Sequence, residues 1–279
     1  MTLYVSDLDG TLLNTDKEIS AYSKNELNKI IEKGVHFTIA SARTPATVVE
    51  MLEGINLKLP ITLMNGVLIY DVNKEKYIDI KEIEKPTVEA IIDIYEELNK
   101  QVFIYAIKDD HLFVYHKELI NNYEKKYFDE RCNRTLKTFV KVDNYKEAVK
   151  DSKVINFVIL DDFQKVDELH NKIKNIDGII AEYHKDIYGT GHYFYEIYSK
   201  KASKANGIKF LQRYVETKEI ISFGDNLNDV PMFEVSTECY AMGNAVDKLK
   251  KIATATIGDN NSDAVAKFIR NRILNKTNI

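Results

Sequence analysis

Ser6-Asp7-Leu8-Asp9-Gly10-Thr11-Leu12 is the stretch around which the chain is organised. Leu3-Tyr4-Val5, just before it, is a short apolar run of the kind that forms a buried parallel strand. Two carboxylates one residue apart follow, and then a glycine, which permits a turn that a Cβ would forbid. In open α/β sheets ligands lie beyond the carboxyl ends of strands, so this is a place for chemistry. Paired carboxylates can divide labour, one ionised as a nucleophile and the other carrying a proton. Asp and Gly also favour plain turns. This stretch alone leaves both readings open, and the rest of the chain has to decide.

Moving outward, Ser20 is placed to cap a helix that runs to Ile31 and stops at Gly34. Residues 35–40 read as a second buried strand, ending in Ser41-Ala42-Arg43-Thr44, with Thr44 as cap and Pro45 in the first turn of the next helix. Residues 61–64 read as a third strand, ending in Asn65-Gly66, and a hairpin follows. Strands alternating with helices imply a parallel sheet with right-handed crossovers.

Near residue 83 the texture changes. A helix at 86–99, a hairpin at 102–107 and 111–115, a helix at 118–130, a strand at 154–160, a helix at 162–175 and strands at 178–183 and 192–198 are expected. Adjacent strands without intervening helices indicate antiparallel pairing in an α+β module. From about residue 203 the first texture returns. A helix to about 216 leads to a strand at 220–223 ending in Gly224-Asp225-Asn226-Leu227-Asn228-Asp229. A short strand at 239–242 ends in Gly243-Asn244, and helices at 246–254 and 262–274 close the chain. The expected fold is α/β: a Rossmann-like doubly wound parallel sheet core from residues 1–82 and 190–279, interrupted by an α+β module at 83–189.

The 279 residues carry 39 basic and 43 acidic side chains, a balance with no electrostatic footprint for nucleic acid. An anionic substrate must therefore be met by a local cluster of donors or by a metal. The two cysteines, Cys132 and Cys239, lie far apart without metal-type spacing and read as free thiols of a reducing compartment. The first residues lack a basic stretch followed by a long apolar run, and no apolar run is long enough to span a bilayer, so a cytoplasmic protein is expected. No interface stretch stands out, and a monomer is the default.

Position decides between the two readings of the opening stretch. Asp7 and Asp9, Ser41, Asn65, Asp225 and Asn244 each follow the carboxyl end of an expected core strand. In one sheet those ends share one edge, so the residues gather at one crevice. Acidic turns at 7–9 and 225–229, with no His or Cys ligand set at the same strand ends, suit a hard divalent cation such as Mg²⁺ and argue against zinc. Ser41, Lys204 and the backbone N–H groups after Asp7 suit a phosphoryl group. Asn65 with Gly66 also reads as a common turn pair.

Taken in order, Asp7-Leu8-Asp9-Gly10-Thr11, Ser41, Lys204 and Gly224-Asp225-Asn226-Leu227-Asn228-Asp229 resemble the four motifs of the haloacid dehalogenase-like superfamily. Thr62-Leu63-Met64-Asn65-Gly66, Ala241-Met242-Gly243-Asn244-Ala245 and Asn261-Ser262-Asp263-Ala264-Val265 add a closer similarity to its Cof-type phosphatases, which carry a large α+β cap of the C2, or IIB, type. The resemblance covers the core; in the cap it rests on size and element order. It implies a phosphoric monoester hydrolase acting on a small phosphorylated metabolite, with a sugar phosphate favoured. A nucleotide, flavin or pyridoxal phosphate, a phosphotransferase or mutase, and a non-catalytic sensor are the alternatives.

Residue by residue, the resemblance makes Asp7 the nucleophile that forms an aspartyl-phosphate and Asp9 the general acid and base. Mg²⁺ would be bound by Asp7, Asp9 and Asp225, with Asp229 in support. Ser41 and Lys204 would hold the transferring phosphoryl oxygens. Leu8, Gly10, Ala42, Arg43, Asn65 and Asn228 would line the phosphate or substrate. Two departures stand out. Ser41-Ala42-Arg43 replaces the usual Thr-Gly-Arg while keeping the hydroxyl, and Lys200 competes with Lys204 for the third motif. The cap would exclude water and select substrate. Its Tyr105, His111, Tyr115, Tyr183, His184, Tyr188, His192 and Tyr195 could stack on a ring or simply pack.

Overall fold

The computed structural model describes residues 2–186 and 191–277, so Tyr188 lies outside the described residues. The chain divides into two compact units, one of residues 1–79 with 203–279 and one of residues 80–202.

The first unit is built on a parallel sheet whose strand order is Ala255–Thr256, Glu238–Ala241, Glu219–Gly224, Thr2–Ser6, His36–Ile39. The order reverses at Thr2–Ser6, so the strand that opens the chain lies beside the one at 219–224, with Ser6 opposite Phe223. That reversal is the switch point at which open α/β sheets place their ligands. Sequence explains the central strand: Leu3, Tyr4 and Val5 are all buried, as a strand covered on both faces requires. The helix Ala21–Glu32 begins where Ser20 accepts a hydrogen bond from the Ser23 N–H.

Two expectations change here. Thr44 makes no side-chain cap bond to the helix Pro45–Met51. The strand Ile61–Leu63 touches the parallel sheet through a single bridge, Ala40 to Thr62, and pairs instead in an antiparallel meander with Leu68–Asp71 and Lys76–Ile80. Just past that bridge the Ser41 N–H donates to the Thr62 carbonyl at 2.9 Å.

The second unit is a six-stranded sheet in the order Ile179–Lys185, Tyr193–Ser199, Lys153–Asp161, Phe103–Lys108, His111–His116, Lys137–Lys141. Every pair is antiparallel except the last. The unit runs to Ala202, beyond the expected 189, because Tyr193–Ser199 is hydrogen-bonded between two strands of this sheet. The hairpin turn at Asp109 and Asp110 puts both residues at positive φ, as a two-residue turn matched to strand twist demands. The helices Lys85–Glu97, Tyr145–Val149 and Phe163–Ile173 cover one face of the sheet with Ile91, Ile92, Tyr95, Val166 and Leu169. The edge strand at 137–141 has only Phe139 and Val140 as apolar residues between two lysines, which hides it from a periodicity reading. Tyr105, Tyr115 and Tyr195 are buried in the packing of this unit. No helix among the described residues is long and apolar enough to cross a membrane.

Candidate active site

The carboxyl ends of the two central strands bring the acidic turns together. Asp7 N–H donates to the Phe223 carbonyl at 3.0 Å, which pins the first turn to the neighbouring strand. Gly10 then turns at a φ of 70°, and a Cβ there would run into the Asp225 carboxylate. Glycine serves both purposes, the positive φ and the close approach. Thr11 Oγ1 donates to Asp225 Oδ1 at 3.3 Å, and Asn244 Nδ2 donates to the Gly10 carbonyl at 2.8 Å.

Lys204 lies at the centre. It opens the helix Lys204–Tyr214, where Ser203 accepts from the Asn206 N–H as cap. The turn at Asn65 and Gly66 packs against that helix start, so closely that a Cβ on Gly66 would meet the Ser203 carbonyl. The Lys204 ammonium donates to Asp7 Oδ1 and to Asp229 Oδ1, each at 2.6 Å. Lys204 is 1% exposed and Asp229 0%, so these are buried ion pairs. Asp229 Oδ2 accepts from the N–H groups of Asp225 and Asn226 at 3.0 and 3.2 Å, which ties the second acidic turn to itself.

One ammonium faces three carboxylates here: Asp7, Asp225 and Asp229 each offer an oxygen within 4.8 Å of the others. Burial pushes the Asp7 carboxyl above the ordinary range, with Lys204 pulling it back and Asp229 adding to the rise. Burial also lifts Asp225, to about 6, and Asp229 adds to it. For Lys204 burial works downward, but Asp7 and Asp229 outweigh it and hold the group above the usual lysine value. With all three carboxylates ionised, one ammonium would leave two negative charges in excess, which a bound cation would offset, and an all-oxygen donor set without His or Cys fits Mg²⁺.

The other expected residues sort themselves by distance from this centre. Ser41 is fully buried, and its hydroxyl oxygen accepts from the Arg43 N–H at 3.2 Å. Its backbone joins Thr62 and Asn65, so the second and third strand ends are tied together. Asn65 stands at a φ of 52°, with a buried Oδ1 that has no hydrogen-bond partner among the described residues. Leu8 is buried, while Ala42 and Asn228 are exposed. Asp9 and Arg43 pair with each other: Nε donates to Oδ2 at 2.7 Å and Nη2 to Oδ1 at 2.6 Å. Lys200, the alternative to Lys204, is half-exposed in the other unit and pairs with Asp177. Sequence reasoning missed the contacts of Thr11 and Asn244 and the double pairing of Lys204. Those partners stand 214, 234, 197 and 25 residues apart, and no local pattern records them.

An acidic crevice at a sheet switch point, anchored by one buried lysine, defines a phosphoryl-type site on a Rossmann-like core. The profile of the haloacid dehalogenase-like hydrolases matches residues 4–269, and the chain belongs to that family. It is a phosphatase-type hydrolase of that family. It is 29% identical over 288 residues to the 5-amino-6-(5-phospho-D-ribitylamino)uracil phosphatase YwtE of Bacillus subtilis (strain 168), covering 94% of this chain and 95% of YwtE. It is 26% identical over 280 residues to the pyridoxal phosphate phosphatase YbhA of Escherichia coli (strain K12), covering 96% of this chain and 97% of YbhA. The crystal structure of TM0651 from Thermotoga maritima superposes with a TM-score of 0.77 at 26% identity, over 96% of each chain.

Proposed function

We propose that the chain is a Mg²⁺-dependent phosphatase of small phosphate monoesters, sugar phosphates favoured, working through an aspartyl-phosphate on Asp7. The observation that carries this is the buried Lys204 ammonium bonded to both Asp7 and Asp229, with Asp225 beside them. The names of YwtE and YbhA each describe a small phosphate monoester, which supports the substrate class. Residues 80–202 would distinguish one ester from another.

Asp7 attacks phosphorus, forming a carboxylate O–P bond as the ester P–O bond breaks. Asp9 gives its proton to the departing oxygen, then takes one from the water that opens the acyl-phosphate. Lys204 holds Asp7 in place and, with Ser41, meets the charge that spreads over the phosphoryl oxygens. Leu8, Gly10 and Ala42 would offer backbone N–H groups, and Asn65 and Asn228 side-chain donors, to the bound ester. Mg²⁺ would be held by Asp7, the Asp9 carbonyl and Asp225, with Asp229 in support, and supplies charge neutralisation at the phosphoryl group.

Phosphate release from a panel of sugar, nucleotide and cofactor phosphates with Mg²⁺ tests this, run beside Asp7→Asn and an EDTA control. Asp7→Asn should lower the rate by about a thousandfold or more, and EDTA should abolish it until Mg²⁺ is restored. Release that survives either change would refute the mechanism.

A further inference from the structure

The forked pair between Asp9 and Arg43 joins two strand ends of the first unit. The Asp9 side chain is 50% exposed and that of Arg43 24%, so this is no buried structural bridge. Its geometry is nonetheless the strong kind: two parallel N–H to oxygen bonds of 2.7 and 2.6 Å. Both partners have anchored backbones. Arg43 N–H donates to Ser41 Oγ at 3.2 Å, and its carbonyl accepts from Met64 N–H at 3.1 Å. Asp9 is followed by Gly10, whose carbonyl is held by Asn244. A half-buried arginine at a strand end still has many rotamers to choose from. Here the fork fixes both oxygens of one carboxylate.

We propose that Arg43 is the positioning residue for Asp9: it sets where that carboxylate stands, and it acts on the reaction through Asp9. This rests on the reading above in which Asp7 attacks and Asp9 transfers the proton. In the first half-reaction the Asp9 O–H proton passes to the ester oxygen as that P–O bond breaks and the Asp7 O–P bond forms. In the second half, Asp9 accepts a proton from water as the water oxygen bonds to phosphorus and the Asp7 O–P bond breaks. The planar two-point fork holds the carboxylate in one orientation for both transfers, and a lysine cannot reproduce it.

The test compares two esters of nearly the same shape, 4-nitrophenyl phosphate and phenyl phosphate. Nitrophenolate departs readily without a proton, whereas phenolate needs one more. Arg43→Ala should lower kcat/KM for phenyl phosphate by about tenfold or more beyond its effect on 4-nitrophenyl phosphate, since general acids contribute roughly 100-fold to 10,000-fold. That extra loss should vanish in an Asp9→Asn background, where there is no acid left to position. Arg43→Lys should fall between wild type and Arg43→Ala. Arg43→Gln keeps most of the stem and serves as a second variant, with thermal melting to check both folds. Equal losses on the two esters, or losses that multiply with those of Asp9→Asn, would overturn the proposal and place Arg43 on the phosphoryl group instead. A wild type whose phosphate release is indifferent to Asp7→Asn would overturn the phosphatase mechanism itself and this proposal with it. That arm contains no change at Arg43, so the two failures are told apart.

Discussion

The two units bury polar groups in different ways. In the first, Asp7, Ser41, Lys204 and Asp229 are all almost wholly buried, and they collect at one edge of a parallel sheet. The second unit also buries polar side chains, Glu124, Lys137, Asn156 and Asp161 among them, but spread over different helices and strands, around an aliphatic and aromatic core that carries buried phenols. Tyr145, for example, donates to the Val102 carbonyl at 2.8 Å and accepts from the Val102 and Lys117 N–H groups. Burying charge is expensive and persists only where partners compensate it. Burying a tyrosine is favourable once its hydroxyl is satisfied. The gathering of several buried charges at one sheet edge, rather than buried charge as such, therefore marks the place where stability has been set against chemistry.

Removing Lys204 should break that contrast most severely. Lys204→Met leaves Asp7 and Asp229 buried without their ammonium, and the loss of a buried partner costs about 3–5 kcal/mol. Urea unfolding at neutral pH should show it as a lowered midpoint, together with the loss of phosphate release. A variant as stable as wild type would mean that the two pairs add nothing to folding.

Tyr145→Phe should give the opposite pattern. It deletes a buried hydroxyl that bonds Val102 and Lys117, with an expected loss of about 1–3 kcal/mol. The kcat on any accepted ester should stay within about twofold, because the residue belongs to the packing of the second unit. A large fall in kcat at unchanged stability would contradict the division drawn here.

The smallest effect concerns Lys137, on the edge strand of the second unit. Burial, with the charges of Arg131 and Arg134 adding to it, lowers its ammonium to about 8. An unfolded lysine keeps its proton to about 10.4. Between those values the unfolded chain binds the extra proton, so folding stability rises with pH, and that gain is lost as pH falls through 8. Lys137→Met should remove this slope and raise the melting temperature at pH 7. An unchanged pH slope between 8 and 10 would show that Lys137 is well solvated.

Much of this was legible in the chain itself. Runs such as Leu3-Tyr4-Val5 and residues 220–223 declare buried strands by composition, and the polar residues after them declare one sheet edge. A helix was expected from about residue 203, and the structure starts it at Lys204, capped by Ser203, with Lys200 outside it. What stayed hidden is instructive. The strand at 137–141 was masked by its flanking lysines, and the single bridge at Thr62 by an apolar run that looked like a full strand. Arg43 was expected to face phosphate or substrate, yet here it grips Asp9. Nothing in Ser41-Ala42-Arg43 indicates which of several nearby anions a long, flexible side chain will choose.

Local sequence by itself determined the elements and the edge at which chemistry collects, because side-chain period, caps and turn residues act over a few positions. Only the tertiary structure decided which charges meet. Asp7, Lys204 and Asp229 become partners because neighbouring strand ends and one helix start bring the ammonium to 2.6 Å from each carboxylate, and burial then multiplies what each charge does to the others.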